Sequence, residues 1–545
     1  MGALLLLLPL ETMISNADPD PPPLPTLTRS TAINIAGAVL PGIVLIISTP
    51  LYLRFIGTDR YGILSIIWLL LGYFGAFDLG VGRAAANQIA RMQHSPTQDR
   101  SALFWTALCI SFFFGTIGGG IVFFLGNSIL THLFHLTGPL RVEAKVALPW
   151  IALSLPLVTV ISLLNGALEG RQAFLELNVG QSTGLIFSQI IPLVMASLGK
   201  ESLDWLVAGA LLGRFLGALI LFIYCRRHVP ILSIPEYRSD YIRPLFHYGM
   251  AITISNIVNP LLTVFDRFAV GAMKGMTAVT LYTVPFRLVN YLSVFPRSLT
   301  TALFPKYASV SPKKAHYLLL QAITTISVVM TPIVLIGITF MPIFLSIWVG
   351  KDFSGKATTT ALILLGGIWV NSIAYAPSSY LQARGRPDIT ARFHLLELIP
   401  YMATLWILVS QMGVLGAAWS WTARVTADAI LLLSAGKAAR MSARVLLPPV
   451  LLVGVSLTLA LCSPESTPWR MPGEIALILF SVIWSYKRGS LLLRENRNAS
   501  NTDSSQFGKN PGSQEDRSGK SVSSDQTKIN WEEDTHAEGN DRTGF

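Results

Sequence analysis

Long apolar runs, each broken by a short polar segment, fill residues 31 to 486. A helix needs roughly 20 mostly apolar residues to cross a bilayer. That length selects fourteen segments: 31–52, 61–79, 102–130, 146–168, 175–198, 203–225, 245–271, 277–303, 316–348, 358–381, 391–410, 413–435, 444–463 and 472–486. Pro41, Pro156, Pro192, Pro260 and Pro332 fall inside spans. They should kink rather than end their helices, because neighbouring helices satisfy the freed carbonyls.

The polar segments orient the spans. With the N-terminus in the cytoplasm, the inner side collects 22 Lys and Arg between Arg29 and Arg497, and the outer side collects 9. Basic residues favour cytoplasmic loops. The asymmetry therefore predicts both termini in the cytoplasm and an even number of spans, because the Lys487–Arg497 cluster belongs inside. Residues 1–30 hold the run Leu4 to Leu8 and the stretch Pro19 to Pro25, and they read as a disordered tail. Residues 495–545 are polar and short of apolar groups, so they read as a disordered cytoplasmic tail. Every outer loop is short, which leaves no room for a catalytic domain outside the membrane.

Composition agrees. Of 545 residues, 52% are hydrophobic and 13% charged, with a mean hydropathy of +0.53. Soluble domains carry about 25% charged residues, so an ordinary soluble enzyme is excluded. The net charge of +11 is spread over the loops. It is therefore a topology signal, and no nucleic-acid partner is expected. Cys109, Cys225 and Cys462 sit in or beside apolar runs and are expected to be buried structural thiols. The histidines lack metal-ligand spacing, so no metal or other cofactor is expected.

The spans also repeat. Arg54-Phe55-Ile56-Gly57 matches Arg267-Phe268-Ala269-Val270-Gly271 with one insertion, and Tyr61 then matches Tyr282. The six helices of 31–225 and the six of 245–435 would form two parallel halves, with 444–493 as two extra helices. Parallel repeats are a known transporter plan, with substrate sites at the repeat interface. The segments FDLGVGRA (77–84), FDRFAVG (265–271), YTVPFRLVNYL (282–292) and LFPKYA (303–308) resemble polysaccharide transporters of the multidrug/oligosaccharidyl-lipid/polysaccharide exporter superfamily, over about 30–440. That family is similar to the O-antigen and capsule flippases. The resemblance implies an all-α polytopic membrane protein with two six-helix lobes around a central cavity. It implies a polyprenyl-diphosphate-linked oligosaccharide as cargo, moved across a bacterial inner membrane with no enzymatic step. A polysaccharide polymerase and a chain-length regulator are the partners it suggests.

Charges inside the spans are the candidate chemistry. Arg214, Arg267, Arg287 and Arg424 lie within apolar runs, offset in part by Asp266, Glu397 and Asp428. An intramembrane arginine costs at least about 2.5–3.5 kcal/mol on insertion scales and usually faces a bundle interior or a wet cavity. A guanidinium fork matches phosphate oxygens, so Arg214, Arg267 and Arg287 are the candidate diphosphate contacts. Arg267 also lies within snorkelling reach of the outer interface. Asp266 points about 100° away from Arg267 around the helix, so those two are not expected to pair. Arg424 and Asp428, spaced i, i+4, are expected to pair. Asp266, Glu397 and Asp428 are candidates for ion or proton coupling. Asp78 and Arg83 are candidates for a gate, hinge or cap at the cytoplasmic end. An organic-cation antiporter would want an acidic lining, which the net positive core opposes. A membrane polymerase or acyltransferase would want a large outer loop or a compact His/Asp/Glu cluster.

Overall fold

The computed structural model describes the backbone of residues 24–73, 78–92, 96–229, 237–243, 245, 262–463 and 467–507. Side chains are described from 39 to 491 within those stretches. The chain divides into two compact units, Met1–Leu492, which carries the helical bundle, and Leu493–Phe545.

The helices are α1 (Leu24–Tyr73), α2 (Val81–Arg91), α3 (Thr97–Ser128), α4 (Gly138–Gly170), α5 (Phe174–Ser197) and α6 (Leu203–His228). After them come α7 (262–274), α8 (Met276–Asn290), α9 (Val294–Ser309), α10 (Pro312–Trp348) and α11 (Lys351–Ala383). The last are α12 (Pro387–Met412), α13 (Val414–Ala435), α14 (Ala439–Cys462) and α15 (Arg470–Phe507). Nine helices among the described residues are long and apolar enough to cross a membrane, and no strand occurs among those residues. The chain is a polytopic all-α membrane protein.

Three predicted spans differ in detail. Spans 31–52 and 61–79 form the two arms of α1, which meet at the non-helical Gly57 (φ 75°, ψ 176°). The predicted span 277–303 is divided into α8 and α9 by a 3-10 turn at Tyr291–Ser293. Span 245–271 is described only from 262 onward. Helix also reaches into both predicted tails, beginning at Leu24 and continuing to Phe507. Residues 1–23 and 508–545 lie outside the described residues.

The repeat is written in the turns. Left-handed backbone occurs in the first half at Leu79, Gly80 and His135 and, at four turns between helices or helix arms, at Gly57, Gly138, Gln172 and Gly199. It recurs at Gly275, Gly350, Gly385 and Gly413 in the second, at offsets of 218, 212, 213 and 214 residues. Glycine adopts positive φ without a Cβ clash, so hairpin turns can keep their shape while the sequence around them drifts. Gly275 (φ 82°, ψ 177°) reproduces the backbone of Gly57 (φ 75°, ψ 176°) closely. The structural partner of Gly57 is therefore Gly275. The expected match with Gly271, which lies inside α7, is one helical turn out of register.

The two equivalent hairpins touch. Thr280 Oγ1 donates to the Thr58 carbonyl at 2.6 Å, and Thr277 Oγ1 donates to the Asp59 carboxylate. A Cβ on Gly62 would lie 2.3 Å from the Met276 carbonyl oxygen. Elsewhere helices pack mainly within their own half: α3 on α4, α4 on α6, α5 on α6, then α10 on α11, α11 on α13 and α12 on α13. Small residues permit this closeness; a Cβ on Gly119 of α3 would meet the Ala152 carbonyl at 2.5 Å. Of the thiols, only Cys225 is buried, with Sγ 3.4 Å from the Leu164 carbonyl. Cys109 and Cys462 are exposed on helix surfaces, contrary to expectation. Cysteine is tolerated there because a thiol is a small, weakly polar group.

Candidate functional site

The buried charges fall into two sets. The first is a string across α7, α8, α12 and α13. Asp266 is fully buried, and Arg267 is 3% exposed. Against expectation they pair: Arg267 Nη1 donates to Asp266 Oδ1 at 2.7 Å and to Oδ2 at 2.8 Å. The long guanidinium arm folds back across the 100° between neighbouring positions, and the backbone N–H of Arg267 also donates to Asp266 Oδ1 at 2.8 Å. Nη1 makes a further bond to the Thr263 carbonyl at 2.6 Å. Tyr282 of α8 donates its hydroxyl to Asp266 Oδ2 at 2.7 Å. The guanidinium lies 3.9 Å from the Phe286 ring centre and 5.3 Å from that of Tyr282. This is a compensated ion pair inside an aromatic box, not a snorkelling cation.

Tyr401 of α12 links this pair to the next, interacting electrostatically with Asp266, Arg267 and Arg424. Arg424 lies 5.5 Å from the Tyr401 ring centre. Its Nη1 is 3.6 Å from Glu397 Oε2 on the neighbouring helix. The expected ion pair with Asp428 one turn along α13 does not form; the carboxylate across the helix interface is the better-placed partner. Both oxygens of Glu397 and Oδ1 of Asp428 are buried, and the two carboxyl groups lie within hydrogen-bonding reach of each other across the helix interface. The structure thus gathers Asp266, Arg267, Glu397, Arg424 and Asp428 into one region. His394 joins through its electrostatic contact with Asp428 and Arg424. Sequence reasoning missed His394; its signal was the i, i+3 spacing to Glu397 on one helix face.

The second set surrounds the second arm of α1. Arg287 of α8 donates Nη2 to the Ser65 carbonyl at 3.3 Å and sits 5.5 Å from the Trp68 ring centre. Arg214 of α6 donates Nη1 to the Leu71 carbonyl at 3.5 Å, while its Nε is buried without a partner. Neither forms an ion pair with a carboxylate among the described residues. Two cations therefore approach one helix from the two halves, held by long bonds to backbone oxygens. A small cavity of about 10 Å³ lies beside Arg287, lined also by Thr49, Tyr61, Tyr291 and Trp348. That is room for about one water molecule, so an oligosaccharide does not fit unless the helices part.

Asp78 and Arg83 are separate from both sets. Asp78 does not close the second span; it opens α2. Its Oδ1 accepts the Gly80 N–H at 2.8 Å, and Oδ2 accepts the Gly82 N–H at 3.2 Å and the Ser162 hydroxyl at 2.6 Å. A carboxylate that meets the first orphan amides of a helix is a cap. Arg83 is exposed on α2. A further cation was missed in the sequence, although it lies inside the predicted span 277–303. Arg297 of α9 is exposed, and its Nε donates to the Tyr375 hydroxyl of α11 at 2.8 Å.

Comparison with known proteins places these features in a family. The family described as "Polysaccharide biosynthesis protein" matches residues 52–357, more than half of the chain. The "Putative O-antigen transporter" of Shigella flexneri is 28% identical over 408 residues, covering 75% of this chain and 97% of that protein. The "Probable low-salt glycan biosynthesis flippase Agl15" of Haloferax volcanii is 24% identical over 34% of this chain and 40% of its own length. Among solved structures, the lipid II flippase MurJ in an inward closed conformation superimposes with a TM-score of 0.67 at 14% identity. That match covers 84% of this chain and 98% of MurJ. An inward-facing multidrug resistance MATE transporter gives 0.59 at 16% identity, covering 76% and 95%. At these identities the two structures establish a shared fold.

Proposed function

The chain belongs to the polysaccharide biosynthesis protein family, and from that premise we propose that it is a flippase for a polyprenyl-diphosphate-linked oligosaccharide. The observation that carries this reading is the pair Arg214 and Arg287. Two guanidinium groups from opposite halves converge on one helix near mid-span, without carboxylate partners among the described residues. A half-buried cation left in that condition inside a span is costly. A diphosphate supplies the charge and the planar oxygen pairs that the forks can accept.

The named relatives are described as an O-antigen transporter and as a flippase of glycan biosynthesis, which supports the same reading. The proposed setting is a bacterial inner membrane with both termini in the cytoplasm. The two lobes, 31–225 and 245–435, rock against each other around the Gly57 and Gly275 hairpins. The sugar headgroup crosses between the lobes while the polyprenyl chain stays in lipid. Transport makes and breaks no covalent bond, and polymerase and chain-length regulator act on the delivered units.

Arg267 is the third candidate cation. Its fork is engaged by Asp266, so it reaches cargo only when that carboxylate is neutralised. Asp266, with Glu397 and Asp428, is thus where ion or proton coupling would meet cargo binding. Asp78 and Arg83 are assigned to the junction with α2 rather than to cargo.

The test is Ala and Lys substitution at Arg214 and Arg287 in a flippase-deficient strain that the wild-type chain complements. Surface polysaccharide and protein level in the membrane are measured together. Both Ala variants should lose export at least tenfold with protein still present. Lys should rescue poorly, because an ammonium cannot reproduce a bidentate fork. Unchanged export from both Ala variants sinks the cationic-pathway reading.

A further inference from the structure

We propose that one face of α11, together with Arg297 of α9, is the wall that contacts the sugar part of the cargo. The proposal rests on the flippase reading above and adds a location for the glycan. Asn371, Tyr375, Ser378 and Gln382 are spaced i, i+4, i+7 and i+11, which puts them on one stripe of α11. All four are half-buried or exposed. The rest of α11 is largely interior: Ile368, Ser372, Ile373, Ala374, Ala376 and Leu381 are buried. A polar stripe on the open side of a membrane helix is costly against lipid, where amides find no hydrogen-bond partners. It is stable against a water-filled passage.

Arg297 fixes which way the stripe faces. It is exposed, lies 5.3 Å from the Tyr375 ring centre and donates to that residue's hydroxyl. An arginine exposed inside a span belongs in a wet cavity. The 3-10 turn at Tyr291–Ser293 gives this a geometric basis. Seven α steps of about 100° and three 3-10 steps of about 120° separate Arg287 from Arg297. They sum to roughly 1,060°, within about 20° of three full turns. The turn therefore brings Arg297 onto the same face as Arg287, roughly 16 Å along the helix pair. Without it the two would diverge by roughly 80°.

The chemistry differs along that face. Around Arg287 and Arg214 two cations meet no acid. Around Arg297 the groups are mainly neutral: two carboxamides, a hydroxyl, a phenol and the face of an aromatic ring. Asn371 has no hydrogen-bond partner among the described residues, and Gln382 Nε2 donates only to Ser378 Oγ at 3.2 Å. Neutral donors and acceptors beside an aromatic face suit a ligand rich in hydroxyl groups. A diphosphate on Arg287 would leave the attached glycan to extend along this stripe.

The experiment compares two cargoes in the complemented strain: the full repeat unit, and the unit shortened to its first sugar by removing later glycosyltransferases. Asn371→Ala/Gln382→Ala should lower export of the full unit at least tenfold and leave the short unit within about twofold. Arg214→Ala should lower both. Equal loss of both cargoes, or loss of neither, in the α11 variant overturns the sugar wall while leaving the flippase reading intact. Export of neither cargo by the wild-type chain overturns both. A second measurement is independent of cargo. Cysteines placed at Asn371 and Gln382 should react with a membrane-impermeant thiol reagent, whereas one at the exposed Ile399 of α12 should not. Failure of both 371 and 382 to label also overturns the wall.

Discussion

Residues 24–228 and 262–435 turn at four matching places, yet they bury charge differently. Each half contributes one mid-span cation with no carboxylate partner among the described residues, Arg214 in the first and Arg287 in the second. The second half adds Asp266, Arg267, Glu397, Arg424 and Asp428 on three further helices, braced by Tyr282 and Tyr401. The turn positions match between the two stretches; most of the charges do not. A turn persists because glycine at positive φ tolerates almost any neighbours. A buried charge persists only where its partners do. The shared turns therefore mark scaffold, and the unmatched charges mark what each half does on that scaffold.

The sharpest way to break the comparison is to remove one partner of the pair in α7. Arg267→Met leaves the fully buried Asp266 with only Tyr282 and a backbone amide. Breaking a buried ion pair from one side costs about 3–5 kcal/mol. Accumulation in the membrane should fall, and thermal unfolding of purified protein should shift down by many degrees. The double variant Asp266→Asn/Arg267→Met should recover part of the loss, because no lone charge remains. A single variant as stable as wild type would mean that this pair does not hold the second half together.

The limits of sequence reading follow from the same contrast. Span positions were legible because bilayer thickness imposes a length and an apolar requirement on every helix. That Arg214 and Arg287 lie mid-span was legible for the same reason. Partner choice was not. Helix spacing favoured Asp428 for Arg424 and opposed Asp266 for Arg267, and both expectations failed. Side-chain reach and helix packing decide such pairs, and neither is encoded in spacing along one helix. The residue match proposed for the repeat lies one helical turn from the place where the turn angles match. Gly271 offered a residue match, whereas Gly275 carries the matching backbone angles. Arg297 stayed hidden because only the 3-10 turn aligns it with Arg287.

An intermediate effect is expected where the two halves meet. Gly62→Ala would put a Cβ 2.3 Å from the Met276 carbonyl and 3.0 Å from Thr280 Oγ1. Backbone cannot yield as a side chain end can, so overpacking of about 1–3 kcal/mol is expected. The strain falls on the contact between the hairpins rather than inside either half. A cysteine at Thr58 should therefore react faster with an impermeant thiol reagent in the Gly62→Ala background. Unchanged labelling together with unchanged unfolding temperature would show that the hairpins are not packed as described.

The smallest effect is expected where the first half does own a guanidinium–carboxylate pair. Arg60 donates Nε and Nη2 to Glu143 at 2.8 and 2.7 Å, and its Nη1 lies 3.8 Å from Glu201. The group ties the start of α1's second arm to α4 and to the α5–α6 turn. The second half uses a weaker tie, with Lys274 donating to the Ser410 carbonyl at 3.1 Å. The Arg60–Glu143 geometry is as good as that of Arg267–Asp266, and the chemistry is the same. Solvent is the difference: the Arg60 and Glu143 side chains are 32% and 16% exposed, against 4% and 0% for the α7 pair. Exposed pairs are worth about 0–1 kcal/mol because water and salt screen them. Arg60→Ala should therefore lower stability by about 1 kcal/mol or less, and the loss should shrink as salt is raised. The Arg267→Met loss should hardly respond to salt. A double-mutant cycle on Arg60 and Glu143 that returned the several kcal/mol expected of Arg267 would overturn burial as the reason the halves differ.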